Sequence, residues 1–132
     1  MIMNIATQIA VFLENRPGTL VRVCKALRVA KISIHAISTG DTIDYNVVRM
    51  IVSDTERALQ IFQDHNTLSI TNEVIVIECA NKPGTLVDIS EKLAKAHINI
   101  EYCYSATPPT SKNALLIVRT SDQKKALKTL NT

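Results

Sequence analysis

The chain has 132 residues, of which 46% are hydrophobic and 20% charged, and its formal net charge is +3. That is the make-up of a globular protein. Lys and Arg are scattered and only 4% of residues are aromatic, which argues against a nucleic-acid-binding surface. Cys24, Cys79 and Cys103 are odd in number, widely spaced and set among apolar residues, so they read as reduced core thiols of a cytoplasmic protein.

The first apolar run, residues 5–13, alternates through Ile9, Val11 and Leu13 as a strand does. It is too short for a membrane helix and has no basic flank, so neither a membrane span nor a signal peptide is expected. Asn15-Arg16-Pro17-Gly18 is a turn, since Pro fixes φ and Gly permits a positive φ. Leu20, Val23, Cys24, Leu27 and Ala30 then follow helical spacing. Alternation returns over residues 32–38, breaks at Gly40-Asp41 and resumes over residues 45–52. Ser53-Asp54 is a helix cap, opening a helix with Ala58, Leu59 and Phe62 on one face. A short strand near residues 67–71 runs almost directly into another at 73–79.

From there the pattern repeats. Asn15-Arg16-Pro17-Gly18-Thr19-Leu20 becomes Asn81-Lys82-Pro83-Gly84-Thr85-Leu86, 66 positions later. Ten of the twenty residues from Asn15 to Ile34 are identical to their counterparts from Asn81 to Ile100. A helix carrying Leu86, Ile89, Leu93 and Ala96 follows, then a strand at 98–104, a break at Pro108-Pro109, a strand at 114–118 and a helix capped by Asp122. The Ser-Asp caps are offset by 68, which places a two-residue insertion near Arg119-Thr120.

Each copy therefore predicts strand–helix–strand–strand–helix, with a closing strand in the first. This is the α+β, ferredoxin-like βαββαβ sandwich in tandem, with one domain over residues 1–71 and a second over 72–132. A 60-residue unit buries only about 60% of its unfolded surface, so each copy is expected to lean on the other or on a second chain. Apolar residues on both faces of the strand at Val74–Ile77 point the same way. The second copy stops before its last strand. Two ways of covering the open edge suggest themselves: the segment at 67–71, or a strand from a second molecule.

The repeated Asn-(Arg/Lys)-Pro-Gly-Thr-Leu phrase, with its helix and its Ile-Ser-Ile or Ile-Asn-Ile strand, resembles the ACT-domain family over nearly the whole chain. The resemblance implies a regulatory module of amino-acid metabolism, non-catalytic, working in side-by-side pairs and binding a small amino acid beside the Pro-Gly turn. The residues it singles out are Asn15, Pro17, Gly18, Thr19 and Leu20, and Asn81, Pro83, Gly84, Thr85 and Leu86. The chemistry suits them. A helix start offers unpaired N–H groups and partial positive charge to a carboxylate, a glycine lets the ligand reach the backbone, a Thr hydroxyl caps or binds, and an Asn amide both donates and accepts.

Leu20, Leu86 and the neighbouring Ile and Val residues favour an apolar ligand such as a branched-chain amino acid, and a homodimer is expected. The copies differ, since Glu14 becomes Ala80 and Arg22 becomes Asp88. The first copy also resembles the regulatory subunit of acetohydroxyacid synthase, through residues 14–18 and then Asp44 to Arg49-Met50. That sets a second expectation, a subunit that docks on an amino-acid biosynthetic enzyme without necessarily binding ligand itself. His35, His65 and His97, the last expected to open a strand, are dispersed with no metal-ligand spacing. No nucleophile–base set emerges either, so no catalytic residue, metal or cofactor is expected.

Overall fold

A computed structural model describes residues 1–41 and 45–132. The elements run β1 (Ile2–Glu14), α1 (Thr19–Val29), β2 (Ile34–Asp41), β3 (Tyr45–Val52), α2 (Thr55–Asp64), β4 (Ser69–Ala80), α3 (Thr85–Lys95), β5 (Ile100–Ser105), β6 (Asn113–Thr120) and α4 (Gln123–Leu130). The expected α+β, ferredoxin-like tandem is what the chain forms. Asp44, singled out above, lies outside the described residues.

Two compact units emerge, one of residues Thr7–Asn72, the other of Met1–Ala6 together with Glu73–Thr132. In the first, hydrogen bonding follows the strand order β2-β3-β1-β4. β1 meets β3 antiparallel, with Ile9 opposite Met50 and Glu14 opposite Tyr45, and the Phe12 N–H donates to the Leu68 carbonyl (3.0 Å). Alternate β1 residues Ile9, Val11 and Leu13 point into a core with Val23 and Leu27 of α1, Val48 and Met50 of β3, and Ala58 and Phe62 of α2. Full burial of each such aliphatic chain contributes roughly 1.5–3 kcal/mol.

The second unit follows β1-β4-β6-β5, and its core holds the counterparts: Ile75, Ile77 and Cys79 of β4, Ile89 and Leu93 of α3, Leu116 and Val118 of β6, Ala126 and Leu130 of α4. One exchange is polar. Thr120 stands where the first unit has Val52, and it is buried. Gln123 makes this tolerable: its Oε1 accepts from the Thr120 N–H and hydroxyl (2.9 Å each), and its Nε2 donates to the Thr120 carbonyl (2.8 Å).

The edge left by the missing strand is covered by neither of the two expected means. Residues Met1–Ala6, which hold the start of β1, belong to the second unit, and Met3 packs against its core. The reason is length. β1 runs 13 residues rather than nine, so it serves one unit with each part. β4 does likewise: the strands expected at 67–71 and 73–79 are a single 12-residue strand. Val74 and Ile75 are both fully buried, as the two apolar faces of that stretch predicted.

The two-residue insertion is also placed differently. Ile9 pairs with Met50 and Ile75 with Val118, so the offset of 68 already holds throughout β6. The extra residues therefore lie in the β5–β6 connection around Pro108-Pro109, not near Arg119-Thr120. Cys103 departs from expectation too. It is exposed, while Cys79 is buried and Cys24 half-buried, because Cys103 lies on the outward face of β5, whose residues alternate strictly.

Asp54 and Asp122 cap α2 and α4 as expected, their carboxylates accepting from the N–H groups of Arg57 and Lys125 (3.1 Å each). The C-termini of α1, α2 and α3 close alike. The N–H groups of Ile32, Thr67 and Ile98 donate back to the carbonyls of Leu27, Phe62 and Leu93 (2.9, 2.8 and 2.9 Å), the 6→1 bond that requires a left-handed residue in between. Lys31, Asn66 and His97 take that place, with φ of 57°, 54° and 58°. His97 thus ends a helix instead of opening a strand.

Candidate functional site

The two Pro-Gly turns are near-copies in three dimensions. Gly18 has φ 91°, ψ −14° and Gly84 φ 92°, ψ −14°, each at the N-cap of its helix. Only glycine takes this conformation at no steric cost, and a Cβ built on either would meet nothing within 4 Å. Each glycine carbonyl accepts the first intrahelical bond, from Arg22 N–H (3.1 Å) and Asp88 N–H (2.9 Å). The donors of the preceding residues, Leu20 and Val21 or Leu86 and Val87, belong to the first turn, which has no intrahelical partner for them. No side chain caps α1 or α3, in contrast to α2 and α4.

The threonines do something other than cap. Thr19 Oγ1 donates to the carbonyls of Glu14 (2.9 Å) and Arg16 (3.1 Å), and Thr85 Oγ1 to that of Ala80 (3.0 Å). Each hydroxyl pins the turn to the end of the preceding strand, so its proton is spoken for. The asparagines face the neighbouring strand or loop. Asn15 Oδ1 accepts from Asn46 Nδ2 (3.4 Å), whereas Asn81 donates to the 106–112 connection twice, through Nδ2 to the Ser111 carbonyl (2.8 Å) and through its backbone N–H to the Lys112 carbonyl (2.9 Å). Sequence reading missed Asn46 and Ser111, whose place beside the turn comes from antiparallel registration: Asn46 sits opposite Leu13 and Asn113 opposite Ala80.

The surroundings differ in charge. Glu14 pairs with Arg16 at 3.0 Å on an exposed edge, an interaction Ala80 cannot make. α1 has no acidic residue in its first turn, and α3 has Asp88 there. A carboxylate at a helix N-terminus competes with any incoming anion, so the first turn is the more receptive of the two.

Both turns lie open. Asn15, Pro17, Gly18, Asn81, Pro83 and Gly84 are exposed and Thr19 and Thr85 half-buried. Leu20 and Leu86, placed by spacing on an apolar face, instead keep 38% and 48% of their surface. The structure thus groups Asn15, Pro17, Gly18, Thr19 and Leu20 at one turn and Asn81, Pro83, Gly84, Thr85 and Leu86 at the other. Cavities of about 460 and 410 Å³ lie elsewhere, against α1–α2 and α3–α4, and none of these ten residues lines them. Among the described residues no three His, Cys, Asp or Glu side chains gather as a metal site would, and no helix is long and apolar enough to cross a membrane.

A ferredoxin-like tandem with a glycine-capped helix start in each copy defines a class. The chain belongs to the ACT domain pair family, whose model matches residues 3–131. It is similar to protein BT0572 from Bacteroides thetaiotaomicron, at 29% identity over 98% of this chain and 88% of that one (TM-score 0.91). The regulatory subunit of aspartate kinase from Thermus thermophilus, in its ligand-free form, shares the fold at 18% identity over 97% of this chain and 95% of that one (TM-score 0.69). The corresponding subunit from Thermus flavus does so at 17% identity over 98% and 94% (TM-score 0.66). No curated protein matches the sequence.

Proposed function

We propose that the chain is a non-catalytic regulatory protein that binds a small amino acid at its first Pro-Gly turn. The observation that carries this reading is the uncapped start of α1, with Gly18 at φ 91° and no acidic residue in the first turn. The ligand carboxylate lies against the N–H groups of Leu20 and Val21, Gly18 lets it approach, and Asn15 meets the ammonium. Pro17 sets the turn, Thr19 holds it to the strand, and Leu20 offers apolar surface to a branched-chain side chain. Asn81, Pro83, Gly84, Thr85 and Leu86 form a second, weaker site, disfavoured by Asp88.

Charge-assisted bonds contribute roughly 1.5–3 kcal/mol each, which for a ligand of this size implies micromolar to millimolar affinity. Small ligands bury roughly 70–90% of their surface when bound, and an open turn cannot supply that alone. The leucines exposed at both helix starts fit the same need, so a second copy of the chain closes the site in a cytoplasmic homodimer.

Isothermal titration against the twenty amino acids tests the reading. Binding is expected for an apolar amino acid, and Arg22→Asp, which gives the first turn the charge of the second, should weaken it to the affinity of the second site. No heat and no thermal shift with any amino acid at millimolar concentration would refute it.

Docking on an amino-acid biosynthetic enzyme is a second reading, favoured by the fold shared with aspartate kinase regulatory subunits. Aspartate kinase and acetohydroxyacid synthase are the enzymes to assay first, with feedback inhibition in the presence and absence of the chain as the readout.

A further inference from the structure

The groove of about 460 Å³ between α1 and α2 has a chemistry its counterpart lacks. Its polar lining is entirely basic, from Arg22 and Lys25 on α1, Arg57 on α2 and His65 just past the end of α2, beside apolar residues that include Val29 and Ile61. Val29 keeps 82% of its surface in water. The carboxylates of α2 are turned to other work or lie outside the groove: Asp54 accepts from the Arg57 N–H (3.1 Å), Asp64 from Gln60 Nε2 (2.9 Å), and Glu56 is absent from the lining.

The second unit is an internal control, with the same elements and the same helix pair. At the equivalent positions Arg22 becomes Asp88, Lys25 becomes Glu91, Val29 becomes Lys95 and Ile61 becomes Thr129. Arg57 becomes Lys125, whose Nζ donates to the Ala96 carbonyl (3.2 Å) and so ties α4 to the end of α3. The fold therefore tolerates a polar groove of mixed charge, in which Asp88 and Glu91 stand beside Lys92 and Lys95. An exposed valine and a purely basic rim in the first unit are not requirements of folding, and apolar residues ringed by like charges are the complement of an amphipathic helix with acidic flanks.

We propose that the α1–α2 groove docks an acidic amphipathic helix of a partner protein. The partner's apolar residues cover Val29 and Ile61, and its carboxylates meet Arg22, Lys25 and Arg57. Open on one side and bounded by two helices, the groove suits a helix laid along it better than an enclosed small molecule. The contact does not require an amino acid at the Pro-Gly turns.

Two labelled synthetic peptides test this against the full chain. Both carry the same leucine stripe; one is flanked by glutamates, the other by lysines. Fluorescence anisotropy should show binding of the glutamate peptide only, with amide shifts confined to α1 and α2. The variant Arg22→Asp/Lys25→Glu, and separately Val29→Lys, should each weaken binding about tenfold or more. These put into the first unit residues the second already carries, so folding should survive, and a thermal melt checks that. Asp88→Arg/Glu91→Lys should leave binding unchanged.

Failure of the glutamate peptide to bind at millimolar concentration overturns the proposal. So do equal binding of the lysine peptide, unchanged affinity in the groove variants, and shifts outside α1 and α2. Binding to phosphatidylglycerol vesicles but not to peptide would assign the groove to a membrane, and a change in self-association with the same variants to a second copy; either result overturns it as well.

Discussion

Alanine at Gly18 or Gly84 tests the account of the two turns most directly. Both glycines sit near φ 91° and ψ −14°, where an L-residue pays roughly 1–2 kcal/mol through its Cβ. The unfolded chain loses freedom when Gly becomes Ala, which offsets about 0.4–1 kcal/mol. Because a Cβ meets nothing within 4 Å at either site, no clash adds to the balance. Each single variant should therefore lose about 1 kcal/mol, which lowers Tm by about 4 °C in a chain of this length. The two losses should agree, because the dihedrals do. Urea denaturation of both single variants gives the numbers. A loss above about 3 kcal/mol would exceed any strain of this kind, and a gap of more than about 1 kcal/mol between the sites would show that the turns differ energetically; either outcome refutes the reasoning.

Three further outcomes are expected. Met3→Asp puts a charge on the strand that completes the second unit. It should cost about 2–4 kcal/mol, with amide hydrogen exchange rising across β4–β6 while α1 and α2 stay protected. Lys31→Gly and His97→Gly relieve left-handed residues at helix ends, so each should gain about 0.5–1 kcal/mol in a denaturant melt. Burial pushes the Cys79 thiol above its ordinary value of 9.0, with the amino terminus pulling the other way. The unfolded chain therefore ionises this thiol first, so its contribution to stability is complete below pH 9.0 and is lost as pH rises through the raised value. Thiol labelling in the native state should accordingly modify Cys103 and spare Cys79.

Much of the fold was legible because it depends on local signals. Pro-Gly-Thr at a change from period 2 to period 3.6 marks a strand-to-helix junction, and Asp54 and Asp122 declare helix starts through bonds within three residues. The repeat doubles each signal. Strand pairing is not local. Ile2–Ala6 alternates weakly, and nothing in it announces that its partner lies about seventy residues away. The β5–β6 insertion was misplaced for a related reason: residues 106–112 hold two more residues than the 40–44 stretch they correspond to and resemble it too little to align, so only the ladder register locates the extra length.

At the site, residue types were readable but directions were not. Thr19 and Thr85 suit a cap or a ligand equally well by sequence. What turns their hydroxyls backward is the proximity of the strand-end carbonyls, a product of the turn's three-dimensional path. Leu20 and Leu86 fit the helical stripe by spacing, yet sit one turn too early to reach the core that Val23 and Ile89 enter.

The division of β1 between two units has a consequence for how the protein can be taken apart. Cutting at the boundary of the sequence repeat would strip residues Met1–Ala6 from the fragment that needs them and leave its neighbour with a strand half too long. An autonomous second module would instead be a circular permutant, with residues 1–6 grafted through a short linker after Thr132. The period of the duplication and the period of the folding unit are equal in length but out of phase, and a stable fragment must be designed on the latter.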